Sequence, residues 1–146
     1  MTLVTGSFWA SCVTSPNDYS AYVDMPKSGW EYVDTIKFIP KSADSVYVAS
    51  MSVGVRHNNN YPYSNLWLEV THITPEVVFR DTVELNLANV YGRWEGSGFG
   101  PLYQLSDTVV RSRRFVKGDT VMVRHIMRVD TLSDVEQIGI TIVSPE

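Results

Sequence analysis

The chain carries a single cysteine, Cys12, so no disulfide framework can staple it and no cysteine-built zinc site can form. Only 19% of its 146 residues are charged and the net charge is −4, which gives no electrostatic reason to expect a nucleic acid as partner. No apolar run approaches the roughly 18 residues that a membrane-crossing helix needs. The histidines His57, His72 and His125 stand far apart, and none lies at a ligand spacing from Asp, Glu or Cys12. Gly96-Ser-Gly-Phe-Gly100 is followed by Pro101 where a phosphate-binding loop needs Lys and Ser or Thr, so it reads as a loop of unusual backbone angles. No nucleophile has an evident base, and no carboxylate pair can be singled out for sugar hydrolysis. The expectation is a protein without enzymatic activity, metal or cofactor.

What is present favours strands. Aromatic residues make up 12% of the chain, and they sit in short alternating runs. A chain of this length fits one domain that buries roughly 68–70% of its unfolded surface. The N-terminal stretch differs from the rest. Leu3 to Ala10 is uncharged and mostly apolar, and Ala10-Ser11-Cys12 places small residues directly before the cysteine. This resembles the end of a bacterial lipoprotein signal peptide, although no basic residue precedes the apolar run and Trp9 stands where Leu is usual. The expected organisation is therefore a signal-peptide remnant over 1–11, a lipidated Cys12 with a polar tether over 12–28, and a β domain over 29–146.

Alternation locates the strands. Trp30, Tyr32, Ile36 and Phe38 follow a period of two, as do Tyr47, Ala49, Met51, Val53 and Val55. Leu66, Leu68 and Val70 face the same way, and Val77 to Leu87 alternates behind the short link Thr74-Pro75-Glu76, which predicts an antiparallel pair. Leu102 to Phe115 and Thr120 to Val129 are expected to pair around Lys117-Gly118-Asp119, with Val121, Val123, His125, Met127 and Val129 inward. Gln137 to Val143 closes the chain, and Asn86 to Tyr91 has room for one helical turn. About seven to eight strands without a convincing helix predict an all-β, single antiparallel β-sandwich of jelly-roll or Ig-like type. Asp-Thr recurs at Asp34, Asp81, Asp107, Asp119 and Asp130 with irregular spacing, and reads as turn caps leading into strands.

Candidate contacts cluster in two loops and one basic stretch. Tyr61, Tyr63, Asn65 and Trp67 lie in the first loop, and Gly92, Trp94, Gly96 and Gly98 in the second. Arg111 to Arg128 holds six cations, among them Arg113 and Arg124, against Asp119 alone. If the flanking strands pair, these arginines form one basic patch suited to an acidic protein surface; if not, they neutralise carboxylates on neighbouring strands. The aromatics could stack on sugar rings, but anchoring of their own loops and packing in the core is the reading preferred for them.

Trp30, Arg56 with Tyr61-Pro-Tyr-Ser-Asn-Leu-Trp-Leu68, Asp81-Thr-Val83 with Leu87-Ala88, Gly92-Arg-Trp-Glu-Gly-Ser-Gly98, Met127-Arg128 with Asp130 and Leu132, and Ile138-Gly-Ile140 together resemble the gliding-motility lipoprotein family of the GldH type. The resemblance runs in order from about Cys12 to Val143. Asp134-Val-Glu136 departs from it, standing where a glycine-bearing turn is expected. The resemblance implies a non-enzymatic outer-membrane lipoprotein of Bacteroidetes-type bacteria. It would be tethered through Cys12 and would work with other gliding and type IX secretion proteins. Val13 rather than Asp after the cysteine resembles cargo sorted to the outer membrane, and the lack of an acidic pair directly after it points to the periplasmic face. It supplies no catalytic residue. A carbohydrate-binding β-sandwich using the loop aromatics is the competing reading.

Overall fold

The structure, a computed structural model, describes residues 15–145; Cys12 lies outside the described residues. Its strands are β1 (Tyr19–Asp24), β2 (Trp30–Glu31), β3 (Ile36–Phe38), β4 (Val46–Asn58), β5 (Asn65–Ile73), β6 (Val78–Asn86), β7 (Ser97–Phe99), β8 (Leu102–Val116), β9 (Thr120–His125), β10 (Thr131–Leu132) and β11 (Val135–Val143), and no helix occurs among the described residues. One sheet has the order β1-β11-β4-β8-β7, a second β3-β9-β5-β6, and β10-β2 forms a small ribbon. Every pairing is antiparallel. The inner faces share one core, with Met51, Val53, Ile138 and Ile140 from the first sheet and Leu68, Val70 and Val123 from the second. The expected all-β antiparallel sandwich is the observed fold.

Most long strands follow the alternation that predicts them. In β4, Tyr47, Ala49, Met51, Val53, Val55 and His57 are buried. The β5–β6 hairpin closes with Ile73 opposite Val78 and the Thr74 N–H on the Val77 carbonyl at 2.9 Å. Val121, Val123, His125 and Met127 are buried as expected, with Val129 packed partly against the core.

Four expectations differ from the fold. Trp30 to Phe38 is two strands in different sheets, because a turn at Glu31–Asp34 intervenes and the Trp30 indole N–H donates to the Asp34 carbonyl at 3.0 Å. The stretch expected as a tether contains β1, which pairs with β11 along its length. Asn86 to Tyr91 is no helical turn; Ala88 bridges to Trp94, and the Asn89 side-chain oxygen accepts the Tyr91 and Arg93 N–H groups. Finally, β8 and β9 do not pair: β8 lies between β4 and β7, and β9 between β3 and β5. The chain changes sheets at Lys117-Gly118-Asp119, with Gly118 at φ 89°. Phe115 and Val121 both face the core, from opposite sheets. A hairpin turn and a sheet-to-sheet corner give the same local sequence signal, so alternation alone could not separate them.

Attachment of β1 has a visible cause. Tyr22 lies opposite Gly139, which lies opposite Gly54, and the missing side chains leave a trough for the tyrosine ring. A Cβ on Gly139 would come to 2.6 Å from that ring. The Arg56 guanidinium covers the ring at 4.0 Å and bonds Gln104 at 2.7 Å and Gln137 at 2.6 Å.

Two outcomes in chemical denaturation check this account. Val123→Ala should destabilise the fold by roughly 1–3 kcal/mol, while Arg124→Ala should cost under about 1 kcal/mol because its ion pair is partly solvated; equal costs would place β9 in the wrong register. Gly139→Ala should lower the denaturation midpoint clearly more than Gly98→Ala, whose added Cβ meets open space. Equal midpoints would show that Tyr22 does not fasten β1.

Candidate binding surface

The aromatic residues form an inner and an outer group. In the inner one, His57 packs against Trp94 with centroids 4.5 Å apart, and Tyr61 and Tyr103 flank it at 5.6 and 5.7 Å. The buried Tyr61 hydroxyl donates to the Asn65 carbonyl at 2.7 Å, and burial pushes its phenol far above the usual range. The Trp94 indole N–H donates to Asn59 Oδ1 at 2.7 Å. Asn65 itself donates to Glu84 at 2.8 Å. Tyr61, Asn65 and Trp94 therefore hold loops in place. Gly92 sits at φ 80°, and a Cβ at Gly96 would collide with the Gln104 backbone, so these two positions shape the second loop.

The outer group faces solvent. Alternation in β5 turns Leu66 and Leu68 inward and Trp67 outward, leaving Trp67 38% and the neighbouring Tyr63 37% exposed. With Ile126, Met127, Arg128 and Val129 they line a cavity of about 540 Å³, a size that suits a small ligand or a protruding side chain. Its far wall exists because β9 ends at His125. The Ile126 N–H still reaches the Trp67 carbonyl at 2.9 Å, the Met127 N–H turns to His125 Nδ1 at 3.3 Å, and the Trp67 N–H meets the Met127 sulfur at 3.3 Å. Behind this wall, Tyr32 and Asp130 line a smaller cavity of about 250 Å³. Sequence reasoning does not find Tyr32, Ile126, Met127 and Val129 as lining residues, because their alternation continues that of strands which in the fold end at Glu31 and His125.

The basic stretch is dispersed. Arg113 bonds Asp81 at 3.1 Å and covers the Phe79 ring at 3.9 Å. Arg124 bonds Glu69 at 2.8 Å beside Tyr32. Arg111 lines a separate cavity with Val48, Ser50 and Val143. Only Arg128 joins the aromatic pair. The expected single patch fails because β8 and β9 belong to different sheets, and the neutralising alternative holds for Arg113 and Arg124.

Each histidine is buried and held as the neutral imidazole. His57 Nδ1–H donates to the Asn58 carbonyl at 3.0 Å, leaving Nε2 without a partner. His72 Nε2–H donates to Asp119 at 2.9 Å, and His125 Nε2–H donates to the Trp30 carbonyl at 3.0 Å. Burial lowers all three pKa values; the bond to Asp119 opposes this at His72, and carbonyl bonds oppose it at His57 and His125. Among the described residues no group of three or more His, Cys, Asp or Glu side chains could hold a metal ion.

Fold and surface together define a two-sheet antiparallel protein with a half-exposed aromatic ledge beside an arginine. The GldH lipoprotein family profile matches residues 17–142, and the chain belongs to that family. It is 35% identical over 72 residues to the "Gliding motility lipoprotein GldH homolog" of Christiangramia forsetii, covering 49% of this chain and 44% of that one. It is 37% identical over 73 residues to the "Gliding motility lipoprotein GldH" of Flavobacterium johnsoniae, covering 49% and 46%. The matched part thus spans just under half the length of each relative. Among solved structures, the Eiger TNF of S. frugiperda superposes with a TM-score of 0.40 at 8% identity, over 89% of this chain and 95% of that one; so loose a likeness carries no argument.

The histidines set a pH dependence. Their folded pKa values lie below the unfolded value of about 6.5, so the unfolded chain takes up protons first as pH falls. The stability they contribute is present above about pH 6.5 and is lost as pH falls through the folded values. The urea midpoint should therefore drop between pH 7.5 and 5, and His57→Phe should shrink that drop. An undiminished drop in the variant would remove His57 from the account.

Proposed function

We propose that this protein is an envelope lipoprotein of the gliding machinery and its associated type IX secretion apparatus, working through contact with other envelope proteins and not through catalysis. The family match over residues 17–142 carries this reading, together with the names of the two relatives. Cys12 would be the lipidated residue, anchoring the protein to the outer membrane with the domain on the periplasmic side. The contact surface would be the ledge of Tyr63, Trp67 and Arg128, three residue types that dominate protein–protein hot spots when they stand together around an apolar recess. A second reading has a specific observation behind it: half-exposed Trp67 and Tyr63 beside one cavity also suit stacking on a sugar ring.

Complementation of a strain lacking its own copy tests this. Wild-type protein should restore spreading and fractionate with membranes. Cys12→Ala should leave the membrane fraction, and Trp67→Ala should stay there at normal level yet fail to restore spreading. Full restoration by Trp67→Ala would reject the ledge as the contact surface. A glycan-array signal abolished by the same substitution, with no envelope protein cross-linked to the wild type, would favour the sugar-binding reading.

A further inference from the structure

The cavity beside Trp67 is one-sided in its chemistry. Arg113 and Arg124 have carboxylate partners, whereas Arg128 is exposed and makes no ion pair or hydrogen bond among the described residues. The indole N–H groups of Trp30 and Trp94 are bonded within the fold; that of Trp67 has no such partner there. The lining thus offers a guanidinium, an indole N–H and the Tyr63 hydroxyl, set among Ile126, Met127 and Val129, and it contains no carboxylate. Of the acidic residues nearby, Glu84 lies opposite Trp67 on β6 and accepts from Asn65, Glu69 pairs with Arg124, and Asp130 lines the smaller cavity behind the wall. Such a recess complements an acceptor-rich, negatively charged group that arrives with apolar neighbours. A planar guanidinium binds a carboxylate through paired N–H bonds, and the half-exposed Trp67 and Tyr63 stand beside it to receive apolar neighbours.

Resting on the proposed role in protein contact, we infer that the occupant of this cavity is a partner segment in which a glutamate or aspartate stands between apolar side chains, its carboxylate on Arg128 and an apolar neighbour against Trp67 and Met127. The choice of occupant rests on charge complementarity: Arg128 is the one charged residue lining this cavity and has no partner among the described residues. A basic segment would set a like charge against Arg128, and an uncharged one would forgo the ion pair, so an acidic segment is preferred to either.

The test uses ¹⁵N-labelled protein and follows the Trp67 indole resonance while three probes are added. The first is an end-capped hexapeptide pool with glutamate alternating with leucine, valine or phenylalanine. In the second, glutamine replaces glutamate, and the third is oligoglucuronate, which offers carboxylates on sugar rings. The glutamate pool should move the resonance at a concentration at least ten-fold lower than the glutamine pool, with an advantage that shrinks as salt rises. Arg128→Gln should abolish the advantage, and Arg111→Gln, at an exposed arginine away from this cavity, should keep it. Equal response to the first two pools, or persistence of the advantage in Arg128→Gln, would overturn the inference; so would a response to oligoglucuronate alone. Loss of spreading by Trp67→Ala alongside equal peptide responses would leave the contact role standing and reject only the acidic class of partner.

Discussion

The bond between His72 and Asp119 holds the two sheets in their relation to each other. Asp119 is buried at the corner where the chain leaves β8 for β9, and one of its oxygens accepts both His72 Nε2–H at 2.9 Å and the Val116 N–H at 2.8 Å. The first bond reaches β5, at the heart of the second sheet; the second closes the turn at the end of the first. A carboxylate removed from water must have its lone pairs met, so the corner can close only where both donors converge. Ring stacking continues this bracing. His72 lies against Phe115 at 4.4 Å and Phe79 at 5.6 Å, Phe115 against Tyr47 at 5.5 Å, and Arg113 covers the Phe79 ring at 3.9 Å. Residues from β4, β5, β6 and β8 are tied into one stacked series.

That corner also marks where sequence reasoning reached its limit. Alternation reports which side chains face inward, and it did so for β4, β9 and most of β5 and β6, because an inward set is a local property of each strand; Thr71, expected outward, is buried, and Val77, expected inward, is exposed ahead of β6. It does not report which strand lies alongside. Asp119 belongs to one of five Asp-Thr pairs that look alike in sequence, yet Asp107 merely accepts the Thr108 N–H at an exposed site while Asp119 pins the two sheets. The difference is created by His72, 47 residues away. β1 was hidden for a related reason: Tyr19–Asp24 buries none of its residues fully and so shows no clear inward set, and what holds it is the space above Gly54 and Gly139 on other strands. At Asp134 the expected glycine turn is present in shape without the glycine. The residue sits at φ 67°, a conformation Asp tolerates better than most, and Asn58 bonds both its side chain at 3.0 Å and its carbonyl at 3.2 Å.

The candidate surface was half legible. Tyr63, Trp67 and Arg128 were named from sequence and converge in the fold, but so were Tyr61, Asn65 and Trp94, which anchor the loops. Nothing local separates Tyr61 from Tyr63, two positions apart in one loop. Their environments diverge because the Tyr61 hydroxyl finds the Asn65 carbonyl inside the turn, which lets a phenol be buried without an unmet donor, whereas Tyr63 packs its ring edge-on against Tyr61 at 5.8 Å and keeps its other side in solvent. The anchored ring positions the exposed one.

Rigidity of this kind bears on how the ledge can work. Trp67 lies within a strand hydrogen-bonded on both sides, with Glu84 opposite on β6 and the Ile126 N–H on its carbonyl, so its backbone is ordered before any ligand arrives. Ordering a flexible aromatic loop on binding would consume much of the contact energy. Here that ordering is already accomplished by the sheet and by the inner aromatic group, while Arg128 stands exposed and unpaired at a bend. A fixed aromatic face beside an unpaired charge distinguishes ligands first by shape and apolar fit, and then by where they carry an acceptor; the reverse order, a loose recess around a fixed ion pair, would have required Arg128 to be held as Arg113 and Arg124 are held.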